Sequence, residues 1–171
     1  MKKTITTLAI VGLCAMSAGA FAKTDTAHAV VTWSGTVPGV LPGNTLTITG
    51  LGKGAIPNGV LNVEADGTFA SQTAVILESH TFDDSLAEDK QIGDLVDATW
   101  SLTNVSVSPA TYDKATVKVK FNGVEVAEAT PMVDLANTVA VEVRNEAANA
   151  DVTPTQAIQV TTTAMASVTV A

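Results

Sequence analysis

Cysteine, aromatic side chains and basic residues are all scarce in this chain of 171 residues. The one cysteine, Cys14, has no partner within the chain for a disulfide or a thiolate metal cage. Aromatic residues make up 4% of the sequence, and 9 Lys and Arg stand against 17 Asp and Glu, for a net charge of −8. A chain of this kind repels phosphate backbones and offers few rings for base stacking, which argues against nucleic-acid binding.

Apolar and β-branched residues are abundant instead. Hydrophobic residues account for 46% of the chain, which is too high for intrinsic disorder, and the length suits one domain with a short appendage. The sequence contains 23 Val and 25 Thr. Because β-branched side chains are stiff at χ1 and fit a pleated surface, this composition predicts an all-β fold.

The first 22 residues have the pattern of an export signal. Lys2 and Lys3 precede an apolar stretch over residues 5–16, and small residues follow at positions 20 and 22. We predict cleavage between Ala22 and Lys23, since a membrane-spanning helix would need about 20 apolar residues. Cleavage would leave 149 residues without cysteine, with seven basic and 17 acidic side chains and a net charge of −10.

Short β-type segments separated by Gly, Pro and Asn recur through the rest of the chain. They predict strands at residues 26–33, 45–49, 60–64, 73–77, 100–107, 115–121, 124–129, 138–144, 157–161 and 165–170. The acidic segment 82–97 is predicted to be a surface excursion with one short helical turn at 85–90. Many short strands with almost no helix favour an antiparallel β-sandwich of immunoglobulin-like type.

The clearest local signal is a hairpin. Residues 115, 117, 119 and 121 are apolar and alternate with Thr and Lys, so one face of this strand is predicted to be buried and the other wet. Asn122 and Gly123 follow, and this pair supplies the two positive φ angles of a type I′ turn.

Residues that carry chemistry are few. His28 and His80 lack the spacing of a metal site, so we interpret them as strand or surface histidines. No Gly-x-Ser-x-Gly motif occurs. The glycine-rich run 50–54 lacks the Ser or Thr and the following helix of a phosphate loop, and the acidic segment lacks the spacing of a calcium loop. We therefore expect no enzyme activity, no cofactor and no metal.

Four segments of the chain resemble a known family. They are residues 31–38 (VTWSGTVP), the hairpin 118–125 (KVKFNGVE), 139–143 (VAVEV) before an Ala- and Asn-rich turn, and the closing 166–170 (ASVTV). Together with the export signal, they resemble the major fimbrial subunits of the coli surface antigen type, over nearly the whole mature chain.

This resemblance implies an incomplete sandwich that lacks one strand. In such pilins a periplasmic chaperone caps the open groove, an outer-membrane usher assembles the subunits, and the N-terminal extension of the next subunit supplies the missing strand. Here it implies a signal peptide at 1–22, a donor extension at 23–35 and a sandwich at 36–171. The donor residues would be Ala27, Ala29, Val31 and Trp33, with His28, Val30 and Thr32 as the opposite-phase alternative.

The resemblance further implies self-association into a filament at the cell surface and adhesion to host surfaces, with a host glycoconjugate as a further partner. Many such pilins carry a disulfide within the sandwich, which this mature chain cannot form. Two alternatives stay open: a monomeric exported β-sandwich that binds carbohydrate or another ligand, and a hydrolase with a Ser-His-acid set.

Overall fold

The computed structural model describes residues 40, 42–132 and 134–169. In this part the chain is all-β, with antiparallel strands, and its helical segments are three-residue 3₁₀ turns, which are too short to cross a bilayer. The strands are β1 (Leu46–Thr49), β2 (Leu61–Val63), β3 (Phe69–Ser71), β4 (Val75–Phe82), β5 (Ile92–Leu95), β6 (Thr99–Ser108), β7 (Val117–Phe121), β8 (Val124–Val126), β9 (Thr138–Asn145) and β10 (Gln159–Ser167).

The larger sheet is organised around β9. One side of β9 pairs with β4 and, at its end, with β3, while the other side pairs with β7. Val141 therefore lies between Val75 and Phe121. β8 continues the sheet beyond β7, β2 continues it beyond β3, and β4 also pairs with β1 and β5.

The smaller sheet pairs β6 with β10 from Thr99–Ser167 to Ser108–Gln159. The register shifts between Thr163 and Ala164, so Thr103 has no partner across the ladder. This β-bulge explains why the buried apolar residues of β6 are spaced by three rather than two at Leu102 and Val105.

The prediction of two closing strands, at 157–161 and 165–170, was wrong. One continuous strand, β10, runs from Gln159 to Ser167. Thr162, Thr163 and Ala164 separate the predicted segments, and the two threonines suit a strand, while the bulge on β6 lets the pairing continue past them.

The two sheets share one apolar core. Trp100 of β6 and Phe121 of β7 are both fully buried, and side chains from both sheets surround them. The core residues are Phe69, Leu77, Trp100, Leu102, Val105, Tyr112, Val117, Val119, Phe121, Val139 and Val141. Antiparallel sheets packed on a common core are consistent with a β-sandwich.

The hairpin of β7 and β8 is confirmed. Asn122 and Gly123 have φ angles of 50° and 79°, and Val117, Val119 and Phe121 are buried as predicted. Asn122 also extends the sheet with its side chain, because its Oδ1 accepts the N–H of Ala140 at 2.8 Å. The predicted inward position of residue 115 was wrong, since it lies exposed in a 3₁₀ turn before β7 begins.

Two strands of the structure were not predicted from the sequence, and another strand is longer than predicted. β3 was not predicted, and β4 continues to Phe82 rather than ending at residue 77. β5 lies inside the acidic segment predicted as an excursion, and the turn there is a 3₁₀ turn at Glu88–Lys90. Its sequence, Ile-Gly-Asp-Leu, does not alternate, and Gly93 is needed because a Cβ there would overlap the Thr81 hydroxyl.

Candidate functional site

The residues proposed from the sequence as a donor strand lie outside the described part of the chain. This applies to the donor positions Ala27, Ala29, Val31 and Trp33, to the opposite-phase positions His28, Val30 and Thr32, and to the cleavage positions Ala22 and Lys23. The described residues instead contain the edge that could receive such a strand.

Within the described part of the chain, β10 pairs with a strand on one side only. It pairs with β6 over nine residues, and no described strand pairs along its other side. In an antiparallel strand, backbone N–H and C=O groups point alternately to the two sides. About half of the polar backbone groups of β10 therefore lack a ladder partner within this part of the chain. A long free edge of this kind is a template for another strand.

The side chains of β10 are less buried than those of the other core strands. Its residues alternate between exposed and half-buried along the whole strand, and none is fully buried. Ala164 and Ala166 contact the core but stay half-buried, whereas the residues opposite them on β6, Leu102 and Trp100, are buried. Val160 is half-buried in the same way. The inward face of β10 thus has apolar surface left to cover.

β1 borders the same region. It approaches β10, and among the described strands it pairs only with β4. Ile48 packs against the core but stays half-exposed, and Leu46 is also half-exposed. We call the free side of β10, together with the inward side chains of β1, the open edge. An extended segment bound there could form backbone hydrogen bonds to β10 and bury these apolar side chains.

The opposite side of the smaller sheet is covered. Here residues 128–132 and 134–136 lie along β6 without forming a regular strand. The N–H of Ala129 donates to the carbonyl of Leu102 at 2.8 Å, and the N–H of Met132 donates to that of Trp100 at 2.7 Å. The indole Nε1 of Trp100 donates to the carbonyl of Ala136 at 2.8 Å. We call this side of β6 the closed edge.

Glu128 completes the closed edge with its side chain. Its Oε1 accepts the N–H of Val105 at 2.8 Å and a hydrogen bond from Lys114 Nζ at 2.8 Å. The hydrogen bonds from Lys114 and Val105 hold the pKa of this carboxyl below its ordinary value. The carboxylate therefore replaces a backbone carbonyl as the partner of a strand N–H.

A second polar cluster lies on the outer face of β4. Glu78 and His80 point away from the core but are 7% and 2% exposed, because the loop after β1 and β5 cover them. Glu78 Oε2 accepts the N–H groups of Gly52 at 2.8 Å and Lys53 at 3.3 Å, and it lies 3.2 Å from His80 Nε2. Burial raises the pKa of Glu78, but the hydrogen bonds from His80, Lys53 and Gly52 outweigh it and lower that pKa overall.

The glycine-rich run 50–54 is a turn in the structure, and it does bind an anion. That anion is the protein's own carboxylate, Glu78. Beside it lies a shallow cavity of about 370 Å³ lined by Gly52, Lys53, Glu78, His80, Asp94 and Leu95. Across the described ranges, no group of three His, Cys, Asp or Glu side chains is placed to hold a metal ion.

The Glu78–His80 cluster was not predicted, because its parts are far apart along the chain. The loop and the carboxylate are separated by 26 residues. A usable signal was present at residues 78 and 80, since two polar residues spaced by two share one face of a strand. The predicted strand ended at residue 77, which hid that spacing.

No protein-family model and no curated protein matches the chain. Its function therefore has to be argued from the geometry. A further strand could pair along the open edge, and the Glu78–His80 cluster holds the loop at 50–54 to β4.

Proposed function

We propose that this protein is a structural subunit of a bacterial surface fimbria, an immunoglobulin-like sandwich completed by a strand from the next subunit. The observation that carries the proposal is the open edge. Nine residues of β10 have one free side in the described part of the chain, and of its four half-buried inward side chains three are apolar, those of Val160, Ala164 and Ala166.

The N-terminal segment of the same sequence suits this edge. Residues 26–33 alternate, with Ala27, Ala29, Val31 and Trp33 on one side, and a strand added there would form a backbone ladder and seat alternate side chains. Burying a valine contributes about 1.5–3 kcal/mol and an alanine less. The side chains alone are therefore too weak for a durable polymer, and the backbone ladder supplies much of the binding.

Polymer growth follows from the asymmetry of this contact. Each subunit gives a strand at one place and receives one at another, so the interface is heterologous and does not close. Such an interface produces a filament. Until a neighbour binds, the open edge needs a cover, because exposed β-edges aggregate. In this proposal a periplasmic chaperone covers the edge, and an outer-membrane usher then adds the subunit to the filament. The proposal places the assembled fimbria at the cell surface, where it supports adhesion to host glycoconjugates.

Deleting residues 23–33 tests the proposal. We expect the truncated chain to fold but to form no filaments, as seen by electron microscopy and sedimentation. A synthetic peptide of residues 24–33 should bind the truncated chain and raise its melting temperature. Filaments formed by the truncated chain would overturn the proposal. A full-length chain that stays monomeric at every concentration, with residues 24–33 paired internally, would favour the monomeric ligand-binding alternative.

The phase of the donor strand has a matched pair of variants. Ala29→Asp should block filament formation, because it places a charge among apolar side chains. His28→Asp, one residue away on the opposite face, should leave assembly intact. The reverse result would assign the donor role to His28, Val30 and Thr32.

A further inference from the structure

The Glu78–His80 cluster fastens three elements at one point. The loop after β1 is bound through the N–H groups of Gly52 and Lys53, which donate to Glu78 Oε2. β5 is bound through its carbonyl groups, since that of Gly93 lies 3.0 Å from His80 Nδ1 and that of Ile92 accepts from Lys53 Nζ at 3.0 Å. Both β5 and the loop are therefore held to β4 by polar contacts.

The contacts of this cluster converge on one carboxylate oxygen. A carbonyl oxygen only accepts, so His80 Nδ1 carries the hydrogen that faces Gly93. The backbone N–H groups of Gly52 and Lys53 donate to Glu78 Oε2, and His80 Nε2 lies 3.2 Å from the same oxygen.

We propose that Glu78 and His80 form an acid-released latch that holds residues 50–54 and β5 against the outer face of β4. A proton added to Glu78 removes the negative charge of the carboxylate that accepts both backbone N–H groups, so these contacts weaken together. The latch is independent of the proposed assembly at the open edge, and either proposal can fail without the other.

Among the charged groups around the pair, Glu78 is the one whose protonation changes the latch contacts. Across the cavity, the loop contributes Lys53 and β5 contributes Asp94. Beside the pair, β1 presents Thr47 and Thr49, and β9 presents Thr138; none of these three ionises in the acid range. Asp94 is exposed and makes no hydrogen bond to the pair, so its protonation leaves the latch contacts in place.

The direction with pH follows from the lowered pKa of Glu78. A carboxyl whose pKa is lower in the folded chain stabilises the fold above its ordinary pKa, here 4.5, and loses that contribution as pH falls through the folded value. The latch is therefore closed near neutral pH and opens as the pH falls through the lowered pKa of Glu78.

Amide hydrogen exchange on the full chain, expressed as protection factors, tests the latch at pH 6.5 and pH 3. In the wild type, protection of the Gly52 and Lys53 amides should fall about tenfold on acidification, relative to amides of the β6–β10 ladder. Glu78→Gln keeps an oxygen acceptor but cannot ionise, so protection should already be reduced at pH 6.5 and should not fall further at pH 3. Asp94→Asn, in the same cavity, should behave like the wild type.

Three results would overturn the latch. In the first, the Gly52 and Lys53 amides of the wild type keep their protection at pH 3. In the second, the protection of these amides in Glu78→Gln falls between pH 6.5 and pH 3 as much as in the wild type. In the third, Asp94→Asn abolishes the fall in protection. If Glu78→Gln does not fold, the wild type alone decides through NMR. The shifts of the Gly52 and Lys53 amides must then follow the titration of the Glu78 carboxyl carbon, and a different midpoint would contradict the proposal.

Discussion

The closed edge and the open edge bound the same small sheet on opposite sides, and they are finished in different ways. Along β6, the backbone N–H groups of Ala129 and Met132 and the Glu128 carboxylate form hydrogen bonds with polar groups of the strand. Along β10, the described residues supply no such cover. A β-edge therefore does not need a regular strand to be satisfied. An irregular segment with one well-placed charged acceptor is sufficient, and its charge discourages further pairing.

The two edges also differ in how deeply they bury apolar groups. Leu102 on β6 and Ala164 on β10 lie opposite each other in the ladder, but Leu102 is 2% exposed and Ala164 is half-buried. A strand at a covered edge is shielded from water by a neighbouring segment on each side, whereas a strand at a free edge has such a neighbour on one side only. The same substitution at these two positions should therefore have very different effects.

The largest effect is expected for Leu102→Asp on the closed side. It places an unpaired charge in the core, which should lower the free energy of unfolding by at least about 3 kcal/mol. Urea denaturation followed by Trp fluorescence measures this loss. Leu102→Met, which conserves volume, should cost less than about 1.5 kcal/mol. A stable Leu102→Asp protein would show that the core is not closed at this position.

Ala164→Asp on the open side should separate folding from strand addition. The aspartate can reach solvent in the isolated domain, so we expect a stability change of about 1 kcal/mol or less. Binding of the 24–33 peptide to the truncated chain should weaken at least about tenfold, because the added strand would bury the charge. Fluorescence anisotropy with a labelled peptide measures this affinity.

Thr163→Asp is the matched control for Ala164→Asp. Thr163 is exposed on the other face of β10 and should tolerate the charge with no loss of peptide affinity. Equal loss in the two variants would mean that general charge repulsion, rather than the inward face of β10, governs binding.

Acid should weaken the closed edge through Glu128. Its lowered pKa means that its stabilising contribution is present above the ordinary value of 4.5 and is lost as pH falls through the folded value. The urea midpoint of the wild type should therefore drop between pH 6 and pH 3. Glu128→Gln should start lower at pH 6 and show a smaller drop, and parallel curves would contradict this role.

The smallest effect is expected for Lys114→Met. Lys114 and Glu128 form a half-exposed pair, and solvent screens such pairs strongly. The hydrogen bond from the Val105 N–H to Glu128 remains in this variant. The urea midpoint at pH 6 should therefore shift less than in Glu128→Gln, and a larger shift would assign the stabilising role to the ion pair.

Local chemistry explains which strands could be predicted. The hairpin of β7 and β8 is encoded by strict alternation and by Asn122-Gly123, whose positive φ angles need no distant partner. β5 has neither feature, and it is a strand because β4 offers it an edge to pair with. At position 93 a Cβ would overlap the Thr81 hydroxyl where it lies, so glycine fits there without any shift of Thr81. The bulge at Thr103 is likewise set by the pairing of β6 with β10.

Burial did not always follow residue type. In β1, Thr47 and Thr49 are buried, whereas the apolar Leu46 and Ile48 that alternate with them are half-exposed. The threonines lie on the outer face beside Glu78 and His80, and the apolar residues face the open edge. Alternation along the chain separates the threonines and the apolar residues onto two faces, but the neighbours of each face decide which one is covered.

The sequence by itself determined the all-β class, the turn between β7 and β8 and the alternating core strands β7 and β9, because these depend on side-chain shape and on period-two alternation. Only the tertiary structure decided which edge of the small sheet is covered and which oxygen the loop at 50–54 binds. Both outcomes join residues more than twenty positions apart, and such contacts depend on how the strands pair rather than on any local pattern.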